Sequence, residues 1–501
     1  MFRVRTTKTG SKNTAVQVVE KGNHRIKVVK HIGTARSDDE LQELLEKAQR
    51  YVVQSSNTVP LFPELSEVKK DQSVDPDDLE FTNTYHTFAY EFLSFFYERC
   101  GFEKLNNDLL KDLAIMRIIE PSSKLRSIIL LKEYFGRQYG KTVMYEKLAK
   151  MKLVREEAEK HAVSYAQKHL SFDFSLVFYD VTTLYFESFK EDEENFKKPG
   201  FSKDNKSNQP QIVIGLIVTK EGFPVSYDIF EGNTFEGKTF IPTICKFRDK
   251  YEIKNLTVVA DAAMISLPNV ESLVAKNLSY IVGARIANLK QNQIRDISTQ
   301  LNQVDKASTR IETERGLLLC DFSLKRYQKD KREMEKHITK AKKLLLEKNV
   351  LKRTKFIKNI KETEQALNTE LVEKTEMLLG IKGYYTNLTD TDNETIINHY
   401  HSLWHVEKAF RIAKSDLEAR PIFHHKKQSI EVHILIVFIS LCIAKSIELL
   451  TNLSIKKVKG MIWRILDIEF VDTLTKKEYK RRMRTKGNTM ADLLASLKSK
   501  S

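Results

Sequence analysis

Between Ser175 and Arg285 the chain takes on a texture that admits few folds. SLVFYDVTTLYFE, QIVIGLIV at residues 211–218 and FPVSYDIFEGN at residues 223–233 are runs of β-branched and aromatic residues, each bounded by Gly, Pro or Asn. Runs of this kind read as strands, and their close succession predicts three sequential antiparallel strands. A helix over about Lys238–Tyr251 is expected next, then a strand LTVVAD ending on Asp261, a helix over about Pro268–Lys276 and a strand YIVGAR. The order strand, strand, strand, helix, strand, helix, strand predicts an α/β fold built on a mixed sheet with flanking helices.

Two acids stand out in this pattern. Asp180 lies inside a strand otherwise rich in Val, Phe and Tyr, where propensity and desolvation both disfavour a carboxylate. Asp261 ends an apolar strand, at the edge of the sheet where ligands bind in α/β folds; a turn or helix-cap role accounts for it equally well. A third acid, Glu407, falls in YHSLWHVEKAFRIAK, Tyr400–Lys414. Ile396, Tyr400, Leu403, Glu407, Phe410 and Lys414 recur at steps of three or four residues and predict one face of a helix. Two readings of Glu407 stay open at this point: an ion pair with Arg411 one turn later, or a ligand for a cation or metal. Phosphodiester chemistry with two divalent cations needs a few carboxylates around metals about 4 Å apart, because Mg²⁺ prefers oxygen ligands.

The rest of the chain suits an anionic partner. Lys and Arg number 83 against 67 Asp and Glu, for a net charge of +16 and a pI near 9.3; such a balance favours nucleic acid or a membrane surface. Residues 2–35 alternate polar and apolar in FRVRTTK, TAVQVVE and HRIKVVKHIG, the pattern of a small basic sheet. Residues 38–54 read as an amphipathic helix, and Thr58–Asp77, with Pro60, Pro63 and Pro76, as a linker. Phe81, Tyr85, Phe88, Phe92, Phe95 and Phe96 predict a helix, and further helical segments run to about residue 170. GLLLCDFSL reads as a strand leading into Lys325–Lys361, where 15 Lys or Arg face 4 acids in 37 residues; this stretch is expected to be an exposed basic helix or helical pair that contacts phosphates. GYYTNLT at residues 383–389 returns to strand character.

Other classes find less support. The basic N-terminus has no apolar run behind it, and the most apolar stretch, Ile434–Ala444, is too short to span a bilayer, so it reads as a buried helix and no membrane partner is expected. Cys100, Cys245, Cys320 and Cys442 form no CxxC pair, so neither a disulfide framework nor a cysteine zinc site is suggested, in keeping with a cytoplasmic protein. His399, His401, His405, His424 and His425 allow a competing zinc reading, but their spacing matches no zinc finger.

Taken together, these strings resemble the DDE transposases of bacterial insertion sequences, in the branch whose last acid lies in a Tyr-x2-Arg-x3-Glu-x6-Lys motif. Tyr400, Glu407 and Lys414 hold the Tyr, Glu and Lys positions with that spacing, and Leu403 stands where the motif has Arg. VFYDVTTLYFES, GFSKDNKSNQPQIVIGLIVTKEGFPV with the following FEGNT, VVADAAMIS and DLEARPIFHHKKQSIEVHILI also look like the family. The 146 positions from Asp261 to Glu407 are what an insertion before the last catalytic helix would produce.

The resemblance implies an RNase H-like catalytic domain in which Asp180, Asp261 and Glu407 hold two Mg²⁺ or Mn²⁺ ions and cut and join DNA. It further implies DNA contacts from Tyr400, Lys414 and Arg411, with Ser202, Lys203 and Lys206 as weaker candidates. The partners it implies are double-stranded DNA, as transposon ends and target, and a second copy of the chain in a homodimer on DNA, at the nucleoid. The expected organisation is a basic N-terminal β unit at 1–36, a helical, DNA-binding region at 37–170, catalytic parts at 171–286 and 383–450 interrupted by an insertion with basic helices at 287–382, and a basic C-terminal region at 451–501. An RNase H-like nuclease and a catalytically inactive, transposase-derived DNA-binding protein are the rival readings.

Overall fold

The computed structural model describes residues 2–10, 13–22, 25–55, 78–187, 196–203, 206, 208–346, 355–361, 364–473 and 476–499. The linker expected at Thr58–Asp77 lies outside them. The chain opens with strands β1 (Phe2–Lys8), β2 (Thr14–Lys21) and β3 (Ile26–Ala35), helix α1 (Asp38–Ser55) and strand β4 (Leu79–Tyr85). Five helices follow: α2 (Thr87–Arg99), α3 (Asp108–Ile119), α4 (Lys124–Phe135), α5 (Lys141–Met151) and α6 (Arg155–Leu170). Next come β5 (Leu176–Tyr185), β6 (Gln211–Val218), β7 (Pro224–Glu231), α7 (Glu236–Lys250), β8 (Thr257–Ala260), α8 (Leu267–Ala275) and β9 (Ser279–Ala284). Then α9 (Gln291–Leu301), β10 (Ser308–Thr313), β11 (Gly316–Phe322), α10 (Leu324–Leu346), β12 (Ile357–Lys361), β13 (Glu364–Leu367) and α11 (Thr369–Met377) lead to β14 (Ile381–Thr386). The chain continues through α12 (Asn393–His401), α13 (Trp404–Arg411), α14 (Lys427–Thr451) and α15 (Ile455–Ile462) to β15 (Leu466–Asp472), β16 (Glu478–Met483) and α16 (Met490–Ser499).

Two compact units divide these elements: Met1–Tyr90 with Glu133–Gly136 and Gly460–Ser501, and Glu91–Lys132 with Arg137–Lys459. In the first unit, β1, β2 and β3 form an antiparallel sheet. Its β2 buries Val16 and Val18 against Ala48 of α1, with Leu41, Leu44 and Leu45 packed around them, as the alternation of apolar residues requires. A second antiparallel sheet pairs β4 with β15 and β15 with β16. This corrects the helix expected from Phe81: Phe81 and Tyr85 belong to β4, and the helix begins only at Thr87. The partner strand lies almost four hundred residues away, so local spacing carries no trace of the pairing.

The second unit is built on an eight-stranded sheet in the order β10-β11-β14-β9-β8-β5-β6-β7. β5, β6 and β7 are antiparallel neighbours, whereas β8 and β9 run parallel to β5, each reached through a helix. That is the RNase H-like topology, a mixed sheet with flanking helices. β14, β11 and β10 extend it antiparallel beyond β9. Of the basic helix or helical pair expected over Lys325–Lys361, α10 provides a helix to Leu346, while β12 at Ile357–Lys361 pairs with β13 in a hairpin. Met334, Ala341, Phe356 and Leu379 make a small core beneath it.

One long helix lies behind the sheet. α14 packs against α3, α5 and β7, and its side chains from Val432 to Glu448 are buried without interruption. The apolar run Ile434–Ala444 therefore sits inside a 25-residue helix, long and apolar enough to cross a membrane by length and composition, though 83% of its most apolar window is enclosed by the protein. A helix apolar all round is a core helix when its surroundings are protein. All four cysteines are free thiols.

Candidate active site

Sheet register brings the first two acids together. β5 and β8 run parallel with Tyr179 opposite Ala260, so Asp180, still inside β5, and Asp261, just past the end of β8, follow on neighbouring strands that lie about 4.8 Å apart. Asp180 Oδ1 accepts the Val181 amide at 2.7 Å. The Asp180 carboxyl is pushed up to about 6, mainly by burial, with the charges of Asp261 and Glu236 adding to the rise and Lys203 opposing it. Asp261 caps the 3₁₀ turn Ala262–Met264, accepting the Ala262 amide at 2.7 Å. The turn-cap role and a place beside Asp180 therefore coexist.

The segment carrying the third acid is not one continuous helix. α12 ends at His401, α13 begins at Trp404, and a π-helical turn covers Ile412–Asp416. The break corrects the predicted face: Leu403, Val406, Ala409, Phe410 and Ala413 are buried, while Glu407 is exposed. No ion pair joins Glu407 to Arg411 among the described residues. α12 packs on β8 and β9 and α13 on β5 and β6, so both helices lie over the strands that bear the aspartates. The Tyr400 hydroxyl donates to Asp261 Oδ1 at a long 3.5 Å. Burial first, then Asp261 and Glu407, pushes the Tyr400 phenol far up.

A lysine on the neighbouring strand completes the local field. Lys382 of β14 holds its ammonium 4.5 Å from the centre of the Tyr400 ring, and the Tyr384 ring packs at a tilt against Tyr400 with ring centres 4.6 Å apart. Burial and Arg326 lower the Lys382 pKa, and the charges of Asp321, Asp261 and Glu407 raise it. Close approach of Tyr400 depends on Gly283 in β9, where a Cβ would collide with the hydroxyl.

The other sequence candidates are dispersed. Lys203 turns inward: its ammonium donates to the Val181 carbonyl at 2.6 Å and pairs with Glu236 at 3.0 Å, with Asp180 at 3.9 Å. Ser202 is buried, and its hydroxyl accepts the Lys206 amide at 3.1 Å. The Lys206 ammonium lies 5.7 Å from the Tyr185 ring centre. Arg411 is exposed, and Lys414, in the π turn, lines a small apolar cavity with Thr182, Leu184, Phe410 and Phe438. Glu236 and Lys382 were not singled out in the sequence. Glu236 begins an ordinary helix, where an acid is common, and Lys382 is a single cation in the otherwise buried strand β14.

Residues 171–443, more than half of the chain and including all three acids, match the family described as Transposase DDE domain. The chain belongs to this family. No curated protein matches this transposase significantly. Eight chains of solved structures do, among them the cryo-EM structure of piggyBac transposase synaptic complex with hairpin DNA (SNHP). The transposase is similar to it at 11% identity over 76% of this chain and 70% of that one, with a TM-score of 0.34.

Among the described residues of the transposase, no group of three or more His, Cys, Asp or Glu lies close enough to hold a metal ion. The histidines leave the zinc reading without a site: His401 Nε2 shares a hydrogen bond with the Tyr384 hydroxyl at 3.3 Å, and His405 stacks on Trp404. The carboxylates do fit a hard divalent cation in kind. They supply oxygen donors, and Asp180 is a desolvated acid whose raised pKa marks charge that a cation would offset. Beside them, Lys325, Arg326, Lys329, Arg332 and Lys336 of α10 line an open groove of about 710 Å³ that also includes His401.

Proposed function

We propose that this transposase binds the terminal inverted repeats of an insertion sequence and catalyses metal-dependent DNA cleavage and strand transfer. The observation that supports this most is the adjacency of Asp180, within β5, and Asp261, just past the end of the parallel β8, with Tyr400 linking Asp261 to the segment that bears Glu407. Asp180, Asp261 and Glu407 would hold Mg²⁺ or Mn²⁺, two ions in all. Bound there, the ions supply charge neutralisation at the phosphate and acidify the attacking water or DNA 3′-hydroxyl.

The chain's own residues position the DNA. Lys382 and Tyr400 present a cation and a hydroxyl beside Asp261, and the α10 groove offers a row of phosphate contacts suited to a chain of net charge +16. Arg411 and Lys206, both exposed, would contact the backbone, and Lys414 adds a point charge. Lys203 holds Asp180 and Glu236 in place until a phosphate or cation takes over its role. Two transposon ends must be joined in one reaction, which calls for a homodimer on DNA, and in a bacterium that DNA lies in the cytoplasmic nucleoid.

Purified protein with Mg²⁺ is expected to cut DNA carrying its element's ends and to join them to a target plasmid. Glu407→Gln is expected to abolish cutting while leaving end binding largely intact. Unchanged cleavage in that variant overturns the assignment of Glu407.

A further inference from the structure

Away from the acids, two helices begin at one pocket. The path of β5 continues past Asp180 to Phe186, which pairs with Ile422 in a short parallel bridge. Phe423 and His424 follow directly. The six residues from Asp180 to Phe186 span roughly 20 Å at about 3.3 Å per residue. There the first turns of α4 and α14 face a shared open pocket of about 310 Å³, to which Ser123, Lys124, His424, Gln428 and Ser429 contribute.

The pocket gathers basic side chains, with no acid among its lining residues. Lys124 is only 9% exposed, and its ammonium lies 2.6 Å from Nε2 of His424. Burial and the neighbouring cations bring His424 down to about 3, so the neutral ring accepts and the lysine donates. Arg117, also buried, stands behind them and donates to the Ser122 carbonyl at 3.1 Å. No Asp or Glu lines the pocket, and no carboxylate pairs with Lys124 or Arg117 among the described residues; Glu418 reaches Arg117 only as a distant charge. Buried His433 bonds the Ala419 carbonyl through Nε2 and leaves Nδ1 without a partner.

Burial, then the neighbouring Arg117, bring the Lys124 ammonium down to about 7, so an anion in the pocket would favour its charged form, and Lys124 adjoins the positive ends of two helices. Ser123 caps α4 by accepting the Arg126 amide at 3.2 Å. α14 starts at Lys427, and its N-cap residue Lys426 provides no side-chain cap. Backbone amides at a helix start, together with its dipole, suit an anion. Exposed Phe423 and Tyr145 flank the opening and offer apolar surface to a sugar or base.

We propose that this pocket binds one phosphate of the DNA backbone, held by Lys124 and the first-turn amides of α4 and α14. This deepens the function proposed above and rests on DNA being the substrate. The test measures binding of duplex DNA carrying an end of the element across a salt series, for the wild type, Lys124→Met and Lys124→Arg. Methionine keeps the length of the side chain and removes its charge.

Lys124→Met is expected to weaken binding about tenfold and to reduce the slope of log K against log salt by about 0.9, the share of one phosphate, while Lys124→Arg restores the slope. Thermal melting of each variant shows that it is folded. Equal affinity and slope in folded Lys124→Met overturn the proposal. A measurement on the wild type stands if that variant does not fold: the His424 ring resonances are expected to shift when duplex DNA binds. A shift with inorganic phosphate and none with DNA assigns the pocket to a free anion and also overturns the proposal. Cutting is scored separately, so a wild type that binds ends without cleaving them contradicts the proposed function and leaves the pocket to be judged by affinity.

Discussion

Asp180, one of the proposed metal ligands, is a largely buried acid with a cost in stability. Its carboxyl is raised from 3.8 to about 6 by burial, so the folded state holds the proton more tightly than the unfolded chain does. Stability from this group is fully present below pH 4 and is lost as pH rises through about 6; the loss amounts to about 3 kcal/mol at neutral pH. Asp180→Asn is therefore expected to raise the melting temperature of the metal-free protein at pH 7.5 and to change it little at pH 4, checked by calorimetry at both values. No gain at pH 7.5 would show that the acid is solvated. Gly283 makes the opposite demand, for space beside Tyr400. Gly283→Ala is expected to displace the Tyr400 ring, cost about 1–3 kcal/mol through overpacking and reduce cleavage severalfold. A Tyr400→Phe, Gly283→Ala double variant should show how much of that loss passes through the hydroxyl. Asp180 was legible in the sequence because a carboxylate interrupts an apolar strand. Glu236 was not, since an acid at a helix start is ordinary.

At the scale of elements, the departures from expectation share a cause. Tyr400–Lys414 has helical spacing, but the turn at Ser402–Leu403 re-phases it, so Val406 takes the buried position that the spacing assigned to Glu407. Leu403, where the motif has Arg, is buried at this break and acts as packing. β4 likewise depends on β15, and β15 on β16 through the two-pronged pair of Asp467 with Arg482, at 2.7 and 2.8 Å. Burial alone would raise the Asp467 carboxyl, yet Arg482 holds it below its usual value. The pair's contribution is present above the usual carboxylate range and is lost as pH falls through the lowered value. Asp467→Asn is expected to destabilise this unit by about 2 kcal/mol, read as faster amide exchange across β15 and β16; unchanged exchange would show that the pair adds nothing.

Across the whole molecule, charge and topology divide the work. The RNase H-like sheet sets Asp180, inside β5, beside Asp261, just past the end of β8, and the stretch between β9 and β14 supplies the basic groove on α10. Reversing Lys329 and Arg332 to Glu is expected to weaken DNA binding and flatten its salt dependence by about two phosphate contacts, with little change in melting temperature because the α10 groove is open to solvent. Equal salt slopes for wild type and variant would remove α10 from the DNA path. Mg²⁺ is expected to raise the melting temperature of the wild type by binding only the folded state, and this increment should shrink in Glu407→Gln.

The sequence by itself determined the order of strands and helices around β5–β9, the acids at Asp180 and Asp261, and the net charge. These follow from alternation, composition and residues out of place, all of which are local. Tertiary structure alone decided that Tyr179 lies opposite Ala260, that Lys203 turns toward Asp180, that Glu407 leaves the buried face, and that Lys124 meets His424 across 300 residues. Register and convergence are set by packing between distant segments, and a periodicity read along the chain contains no information about which distant segment will arrive.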